Sequence, residues 1–180
     1  MNFPTRFILA LALSLSGAAW ADPIPAQVES AVGFKAFDLP APQKGAFELS
    51  FDATPLADKI DGFTGVSASV PYRPSEVAAI VRFSPTGVID VRNGGEFKSD
   101  RALRYSAGKV YHVRMVVDTA KKTYSVFVTP AGEAEVALAK DYAFRDGQGS
   151  VRSLEKLVLA MFRGSAAPHR VSGVALKALP

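Results

Sequence analysis

The stretch that decides the fold is GKVYHVRMVVDTAKKTYSVFVTPAGEAEVALAKDYAFR, residues 108–145. Apolar side chains recur at every second position of two of its runs: Tyr111, Val113, Met115 and Val117, then Tyr124, Val126 and Val128. A period of two places these side chains on one face of a sheet and their neighbours on the other. Turn-forming residues at 118–122 and 130–133 separate the runs. The stretch therefore predicts an antiparallel meander.

Further strands are predicted on both sides of this meander. Apolar and polar residues alternate most clearly at 46–53. Strands are also predicted at 64–70, 77–84, 88–92 and 171–179. Asn93-Gly94 predicts a hairpin after 88–92. Residues 32–39 form a first strand that Pro40 and Pro42 are expected to end. The polar residues 96–105 are expected to be a connection into the meander.

One segment, residues 154–162 (LEKLVLAMF), fits two structures. Its composition favours a helix, but nine residues between turns also suit a strand buried on both faces. We favour the strand because every neighbouring segment is a strand. About nine to eleven strands with no amphipathic helix predict an all-β fold, an antiparallel sandwich or barrel. At this size a β-sandwich of jelly-roll topology is expected, with early and late strands paired in one sheet.

The N-terminus is typical of a secretory signal peptide. Arg6 precedes an apolar run, and Ala19-Trp20-Ala21 fits the cleavage rule, so residues 1–21 are predicted to be removed. The apolar run is shorter than the ~20 residues that a membrane span needs. We expect export to the periplasm or the cell exterior. Residues 22–31 are expected to be a polar leader, and residues 32–180 a single β-sandwich domain.

Composition excludes several classes of function. The 180 residues include no cysteine, which excludes disulfides, thiolate metal sites and cysteine nucleophiles. The formal net charge is +4, spread along the chain without a basic run. Such a surplus is not that of a nucleic-acid-binding protein. It is compatible with acidic ligands such as uronate polysaccharides.

Two motifs carry a family resemblance. Asn93-Gly94-Gly95 is followed by AGKVYHV at 107–113 and by the strand YSVFV at 124–128. This order resembles that of concanavalin A-like (laminin G-like) jelly-roll domains of secreted bacterial proteins, over residues 47–179. The resemblance implies the fold, and its members include lectins, glycan-binding modules, glycosidases and polysaccharide lyases. Fold alone therefore does not assign an activity.

The sequence offers little for glycosidase chemistry. The Glu-x-Asp-x-x-Glu strand of retaining glycosidases on this fold is absent. Glu48 and Asp52 share a strand face, but four residues separate their Cα atoms by about 13 Å. Catalytic carboxyl pairs lie roughly 5–9.5 Å apart. An ordinary solvated face is the better interpretation of this pair.

A polysaccharide lyase needs a base and a group that neutralises the uronate carboxylate. His112 and Arg114 share one strand face. Arg82 and Arg92 would lie beside them if their strands are neighbours, and Tyr72 lies in a flanking loop. These residue types resemble those on the concave face of alginate lyases, although the sequence motifs of that family are absent. The simpler interpretation is an exposed polar face on which His112 has no catalytic role.

Cofactor and stacking sites have limited support in the sequence. The two histidines, His112 and His169, lack metal-ligand spacing, so no metal or other cofactor is predicted. A structural Ca²⁺ could use Asp58 and Asp61. Tyr72 and Tyr105, close to loops, are the candidates for stacking on sugar rings.

Three hypotheses remain from the sequence. The leading one is an exported, non-catalytic, lectin-like domain that binds a polysaccharide or other glycan, including acidic ones, through Arg82, Arg92, His112, Arg114, Tyr72 and Tyr105. The second is a divergent polysaccharide lyase that uses His112 and Arg114. The third is a structural envelope or extracellular domain that binds other proteins. The ligand and the oligomeric state do not follow from the sequence.

Overall fold

The computed structural model describes residues 24–180, so the predicted signal peptide lies outside the described residues. These described residues form twelve strands: β1 (Gln27–Glu29), β2 (Gly33–Gln43), β3 (Ala46–Pro55), β4 (Gly62–Ser67), β5 (Val77–Phe83), β6 (Val88–Asn93), β7 (Glu96–Arg104), β8 (Tyr111–Asp118), β9 (Thr123–Pro130), β10 (Val136–Ala143), β11 (Leu154–Met161) and β12 (His169–Ala178). The only helical element of residues 24–180 is one 3₁₀ turn, Pro74–Glu76. Nothing in that part of the chain is a helix long and apolar enough to cross a membrane.

The strands form two antiparallel sheets of six. The first sheet has the order β1-β12-β3-β8-β9-β10, and the second sheet has the order β2-β11-β4-β5-β6-β7. The last strand, β12, lies between β1 and β3, so early and late strands pair in one sheet as a jelly roll requires. The predicted all-β antiparallel sandwich is confirmed.

The meander is confirmed as β8, β9 and β10, with β8 paired to β9 over its whole length. The alternating apolar side chains of β8 and β9 are at most 1% exposed. They pack against the inward row of β3, which contains Phe47, Leu49 and Phe51. Burial of these rows between the sheets is the main source of stability, since it is proportional to the apolar area removed from water.

Three local predictions have clear outcomes. Residues 154–161 form strand β11, with the apolar run from Leu157 to Ala160 buried, so the strand interpretation is confirmed. The prediction that Pro40 and Pro42 end the first strand is wrong, because β2 continues to Gln43. β2 is an edge strand, where a residue without an N–H group is tolerated. The predicted connection at 96–105 is also wrong, because 96–104 is edge strand β7.

A second, smaller apolar cluster lies outside the main core. It contains Phe63, Val77, Ile80, Val158 and Ala160, with Phe34, Ala36, Phe97 and Phe162 packed against it. Side chains alternate along β4 and β5, and Thr64 and Val81 face the main core. Phe63 and Ile80 therefore lie on the outer face of the second sheet. An apolar outer face is unusual for a sheet that meets water.

Candidate functional site

The outer face of the second sheet combines aromatic rings with charged side chains. Strand register aligns Ala160, Phe63, Arg82 and Asp90 in one row across β11, β4, β5 and β6. Arg92 on β6 pairs with Phe97 on β7. We call this surface the aromatic face, defined by Phe34, Phe63, Phe97, Phe162, Arg82, Asp90 and Arg92.

Three phenylalanine rings cluster at the β2 side of the aromatic face. The Phe34 and Phe162 rings lie 6.3 and 5.8 Å from the Phe63 ring, in tilted arrangements. Phe63 is buried and the other two are half-buried. A pocket of about 220 Å³ opens beside them, between residues 32–34, Pro74 and residues 160–163. The rings therefore form the floor and wall of an open apolar site.

A neutralised arginine lies at the centre of the aromatic face. Arg82 donates two hydrogen bonds to Asp90, at 2.9 and 2.7 Å, in the bidentate geometry that suits a guanidinium and a carboxylate. Its third nitrogen lies 3.6 Å from Asp61, and its guanidinium carbon lies 3.7 Å from the Phe97 ring centre. Burial raises the pKa of Asp61, and Arg82 opposes that rise. Arg82 is thus held rigidly, and the neighbouring carboxylates compensate most of its positive charge.

Arg92 is held in a different way. Its Nε donates to the Gly94 carbonyl at 2.9 Å, and its Nη2 donates to the Gly95 carbonyl at 2.5 Å. Its guanidinium carbon lies 4.9 Å from the Phe97 ring centre, so both arginines stack on the same ring. These contacts orient Arg92 without neutralising it, because its partners are backbone carbonyls.

His112 and Arg114 lie on the outer face of the first sheet. His112 Nδ1 is 2.8 Å from Asp52, its cross-strand neighbour on β3. Arg114 bonds Glu135 at 2.9 and 3.2 Å and Glu48 at 3.2 Å, and it stacks on Phe127 at 4.2 Å. The hydrogen bond to Glu135 raises the pKa of Arg114. Both side chains already have carboxylate partners, which compete with an anionic substrate.

The structure divides the predicted ligand-binding residues between two surfaces. Arg82 and Arg92 lie on the second sheet and His112 and Arg114 on the first, so their strands are not neighbours. A single groove that holds all four is therefore excluded. Glu48 bonds Arg114 and Asp52 bonds His112 rather than each other, as on an ordinary polar face.

The two tyrosine candidates differ in accessibility. Tyr105 is 6% exposed, and its hydroxyl donates to the Ser84 and Ile60 carbonyls at 2.8 and 3.1 Å. Burial raises the pKa of Tyr105 to about 12. Its prediction as a stacking residue is wrong, because its ring packs against Phe83 in the core. Tyr72 is 89% exposed and lies two residues before Pro74, which lines the pocket.

The aspartates suggested for calcium have other roles. Asp58 accepts a hydrogen bond from the Ala107 amide at 2.8 Å, and Asp61 lies beside Arg82. Among residues 24–180, no group of three or more histidine or acidic side chains is arranged to hold a metal ion. A calcium site remains a sequence expectation.

The phenylalanines of the aromatic face were not predicted as site residues. Phe34 lies in the first predicted strand, residues 32–39, and Phe63 lies just before the predicted strand 64–70. The sequence feature that could have indicated this site is a pair of aromatic residues, Phe97 and Phe162, each followed by a lysine or arginine. Their convergence depends on the order of strands, which periodicity does not supply.

Comparisons with known proteins support the fold, whereas sequence similarity to known proteins is limited. No protein-family model matches the chain. Over 99 residues it is 33% identical to a gellan lyase of a Bacillus species, a match that covers 53% of this chain and 4% of the lyase. The chain thus spans a small part of that relative.

Solved structures with similar architecture share little sequence. The chain superposes on the lectin-like defense protein arcelin-5 of Phaseolus vulgaris with a TM-score of 0.56 at 10% identity, covering 83% of this chain and 85% of arcelin-5. A family 131 glycoside hydrolase catalytic domain of Coprinopsis cinerea gives 0.51 at 14% identity, covering 76% and 58%. A sialidase gives 0.55 at 17% identity, covering 84% of this chain and 15% of the sialidase.

The two-sheet topology and these neighbours define the class. The chain has the fold of concanavalin A-like jelly-roll sandwiches. Its sheets carry one polar outer face, with His112 and Arg114, and one aromatic outer face.

Proposed function

We propose that this protein is an exported, non-catalytic carbohydrate-binding domain that binds glycan on its aromatic face. The observation that carries the proposal is the grouping of half-buried phenylalanine rings with the rigid Arg82–Asp90 pair beside an open pocket. The predicted secretion signal, residues 1–21, would direct the domain to where extracellular or periplasmic polysaccharides occur.

The chemistry of the aromatic face suits a sugar ring. A pyranose presents an apolar C–H face, which packs on an aromatic ring, and an edge of hydroxyl groups. Asp90 and Arg82 offer acceptors and donors in a fixed plane for those hydroxyls. Rings and rigid ion pairs lose little conformational freedom on binding, which favours affinity. The half-exposed rings of Phe34, Phe97 and Phe162 are the stacking candidates.

The comparisons support this proposal at the level of fold. A lectin-like protein and a glycoside hydrolase domain share the architecture, and a gellan lyase is similar in sequence over part of the chain. Binding rather than catalysis is favoured by the charge pattern, because Asp61 and Asp90 are both in contact with Arg82. A catalytic acid and base need carboxyl groups free to exchange protons.

A matched pair of variants tests the binding face. Phe97 and Phe127 each stack under an arginine, on the second and the first sheet respectively. We expect Phe97→Ala to abolish retardation in affinity gels that contain the bound polysaccharide, and Phe127→Ala to leave it unchanged. Gels cast with neutral and acidic polysaccharides serve as the panel. Absence of retardation by every polysaccharide would refute the proposal, and loss in Phe127→Ala alone would move the site to the first sheet.

A polysaccharide lyase is the second candidate function. The specific observation in its favour is the similarity to part of a gellan lyase, together with the adjacent His112–Asp52 and Arg114 groups. This hypothesis predicts formation of unsaturated uronate products from a polyuronate, lost in His112→Ala. Absence of that absorbance with gellan, alginate, pectate and hyaluronan would exclude it.

A further inference from the structure

Two arginines are brought together where the aromatic face meets the β6–β7 turn. The loop after β10 docks on this turn: the Gly94 amide donates to the Ala143 carbonyl at 3.3 Å, and the Ala143 amide donates to Asn93 Oδ1 at 3.0 Å. The Arg145 amide then donates to the Ala78 carbonyl of β5 at 2.9 Å. These bonds place the backbone of Arg145 next to the β6–β7 turn, where the charges of Arg145 and Arg92 act on each other.

Neither of these arginines is neutralised by a carboxylate. Across residues 24–180, Arg73, Arg82, Arg114 and Arg170 form ion pairs. Arg92 and Arg145 form none, and they differ from the other unpaired arginines of this part of the chain in being half-buried rather than exposed. Burial and the neighbouring positive charge of Arg92 lower the pKa of Arg145. Two uncompensated guanidinium groups, both half-buried, repel each other, and a bound anion would relieve that repulsion.

The carboxylate of Asp146, which acts on Arg145, packs against the β6–β7 turn. An added Cβ atom at Gly95 would lie 2.8 Å from Asp146 Oδ2, and one at Gly94 would lie 3.0 Å from Oδ1, so this carboxylate packs against the turn. Its charge partly offsets the lowered pKa of Arg145. It forms no ion pair with either arginine within the described residues, so the pair keeps a net positive charge.

We propose that Arg92 and Arg145 form a carboxylate-binding subsite that directs the aromatic face towards uronate-containing polysaccharides. This inference rests on the proposed glycan binding and names the class of glycan. Arg92 uses Nε and Nη2 for the turn carbonyls, and its Nη1 has no hydrogen-bond partner among the described residues, so the Nη1 hydrogens are held in a fixed orientation for a ligand. Arg145 contributes a guanidinium that makes no side-chain hydrogen bond within residues 24–180. Two guanidinium groups can each donate to one planar carboxylate.

The position of the pair favours a sugar carboxylate over a free inorganic anion. Arg92 stacks on Phe97, which also supports Arg82, so an anion bound to Arg92 lies next to the proposed sugar-stacking surface. A uronate residue presents a ring and a carboxylate together. It can contact the aromatic ring and the arginine pair at once, whereas phosphate contacts only the arginines.

The first experiment measures anion binding directly. We expect titration of the full-length protein with sodium glucuronate to shift the side-chain Nε–H NMR resonances of Arg92 and Arg145, while glucose at the same concentration does not. The Arg145→Gln variant should lose the shift of Arg92. Arg170→Gln, which removes the same charge from the first sheet, should retain it. No shift with glucuronate, or an equal shift with inorganic phosphate, overturns the proposal.

The second experiment separates this inference from the proposed function. A uronate polysaccharide and the same polymer with its carboxyl groups reduced are compared by affinity gel or calorimetry. We expect binding of the native polymer to weaken about tenfold in Arg145→Gln, as for the loss of a charge-assisted hydrogen bond, and Arg145→Lys to recover part of it. Equal binding of both polymers, unaffected by Arg145→Gln, overturns the subsite but keeps glycan binding. Binding of neither polymer refutes both.

Discussion

His169 shows how a single residue can couple this fold to pH. It is fully buried, its Nε2 lies 2.9 Å from the Thr64 hydroxyl, and its Nδ1 has no hydrogen-bond partner within residues 24–180. Burial lowers the pKa of His169 to about 3, from 6.5 in an unfolded chain. Between those two values the unfolded chain binds a proton that the folded protein does not. The free energy of unfolding therefore falls as the pH falls below 6.5.

This linkage gives a prediction for His169→Gln. Above pH 6.5 the variant should be less stable than wild type, since a glutamine side chain cannot reproduce both the contact with Thr64 and the packing on Phe83. Below that pH the wild-type advantage should shrink by about 1 kcal/mol per pH unit, because only wild type has the depressed pKa. Denaturant unfolding between about pH 7.5 and 4.5 measures the difference. His112→Gln is the control, and a pH-independent difference for His169→Gln would contradict the prediction.

The candidate site shows which residue roles follow from sequence. Strand alternation correctly places His112 and Arg114 on an exposed face, because a period of two needs only local information. The roles of Arg82 and Tyr105 do not follow. Arg82 meets Asp61 and Asp90 only after three strands are ordered side by side, and Tyr105 enters the core because its hydroxyl reaches two loop carbonyls.

At the scale of strands, β4 approaches β5 unusually closely. An added Cβ atom at Gly65 would lie 2.4 Å from the Ala79 carbonyl oxygen and 2.8 Å from Val77 Cγ1. Backbone atoms cannot give way without distorting the centre of the second sheet. Gly65 therefore marks a close approach between these two neighbouring strands.

We therefore expect Gly65→Ala to destabilise the protein by about 1–3 kcal/mol, the usual cost of overpacking. Because Gly65 lies in the row next to Phe63, the same variant should also weaken glycan binding to the aromatic face. Gly45→Ala is the control, since no atom lies within 4 Å of its added Cβ atom. Thermal unfolding of both variants measures the difference, and equal melting temperatures would contradict the prediction.

The central strands of the meander were predictable from the sequence, whereas the edge strands of the second sheet were not. The β8–β9–β10 meander was predictable because its turns and alternation all lie within residues 108–145. The edge strands β2 and β7 were not: β2 contains two prolines, and β7 lacks a continuous apolar row. Edge strands need fewer ladder hydrogen bonds and bury less surface, so their sequences resemble loops.

For the molecule as a whole, closure depends on pairing the two ends of the described chain. β1 pairs with β12, the Ser30 amide donates to the His169 carbonyl at 2.9 Å, and the His169 amide donates to Ser30 Oγ at 3.0 Å. Val28 is buried in the main core, and Glu29 bonds Arg170 at 2.8 Å. Part of the expected polar leader thus belongs to the sandwich.

A chain that starts at Ala31 should therefore be less stable than one that starts at Asp22, the predicted mature N-terminus. Loss of Val28 burial costs about 2 kcal/mol. At about 2–4 °C per kcal/mol for a domain of this size, the melting temperature should fall by about 4–8 °C. Glu29→Gln in the longer chain is the control, because an exposed ion pair contributes less than about 1 kcal/mol. If the two chains melt together, β1 is not part of the cooperative fold, and the domain begins after the leader, as the sequence predicted.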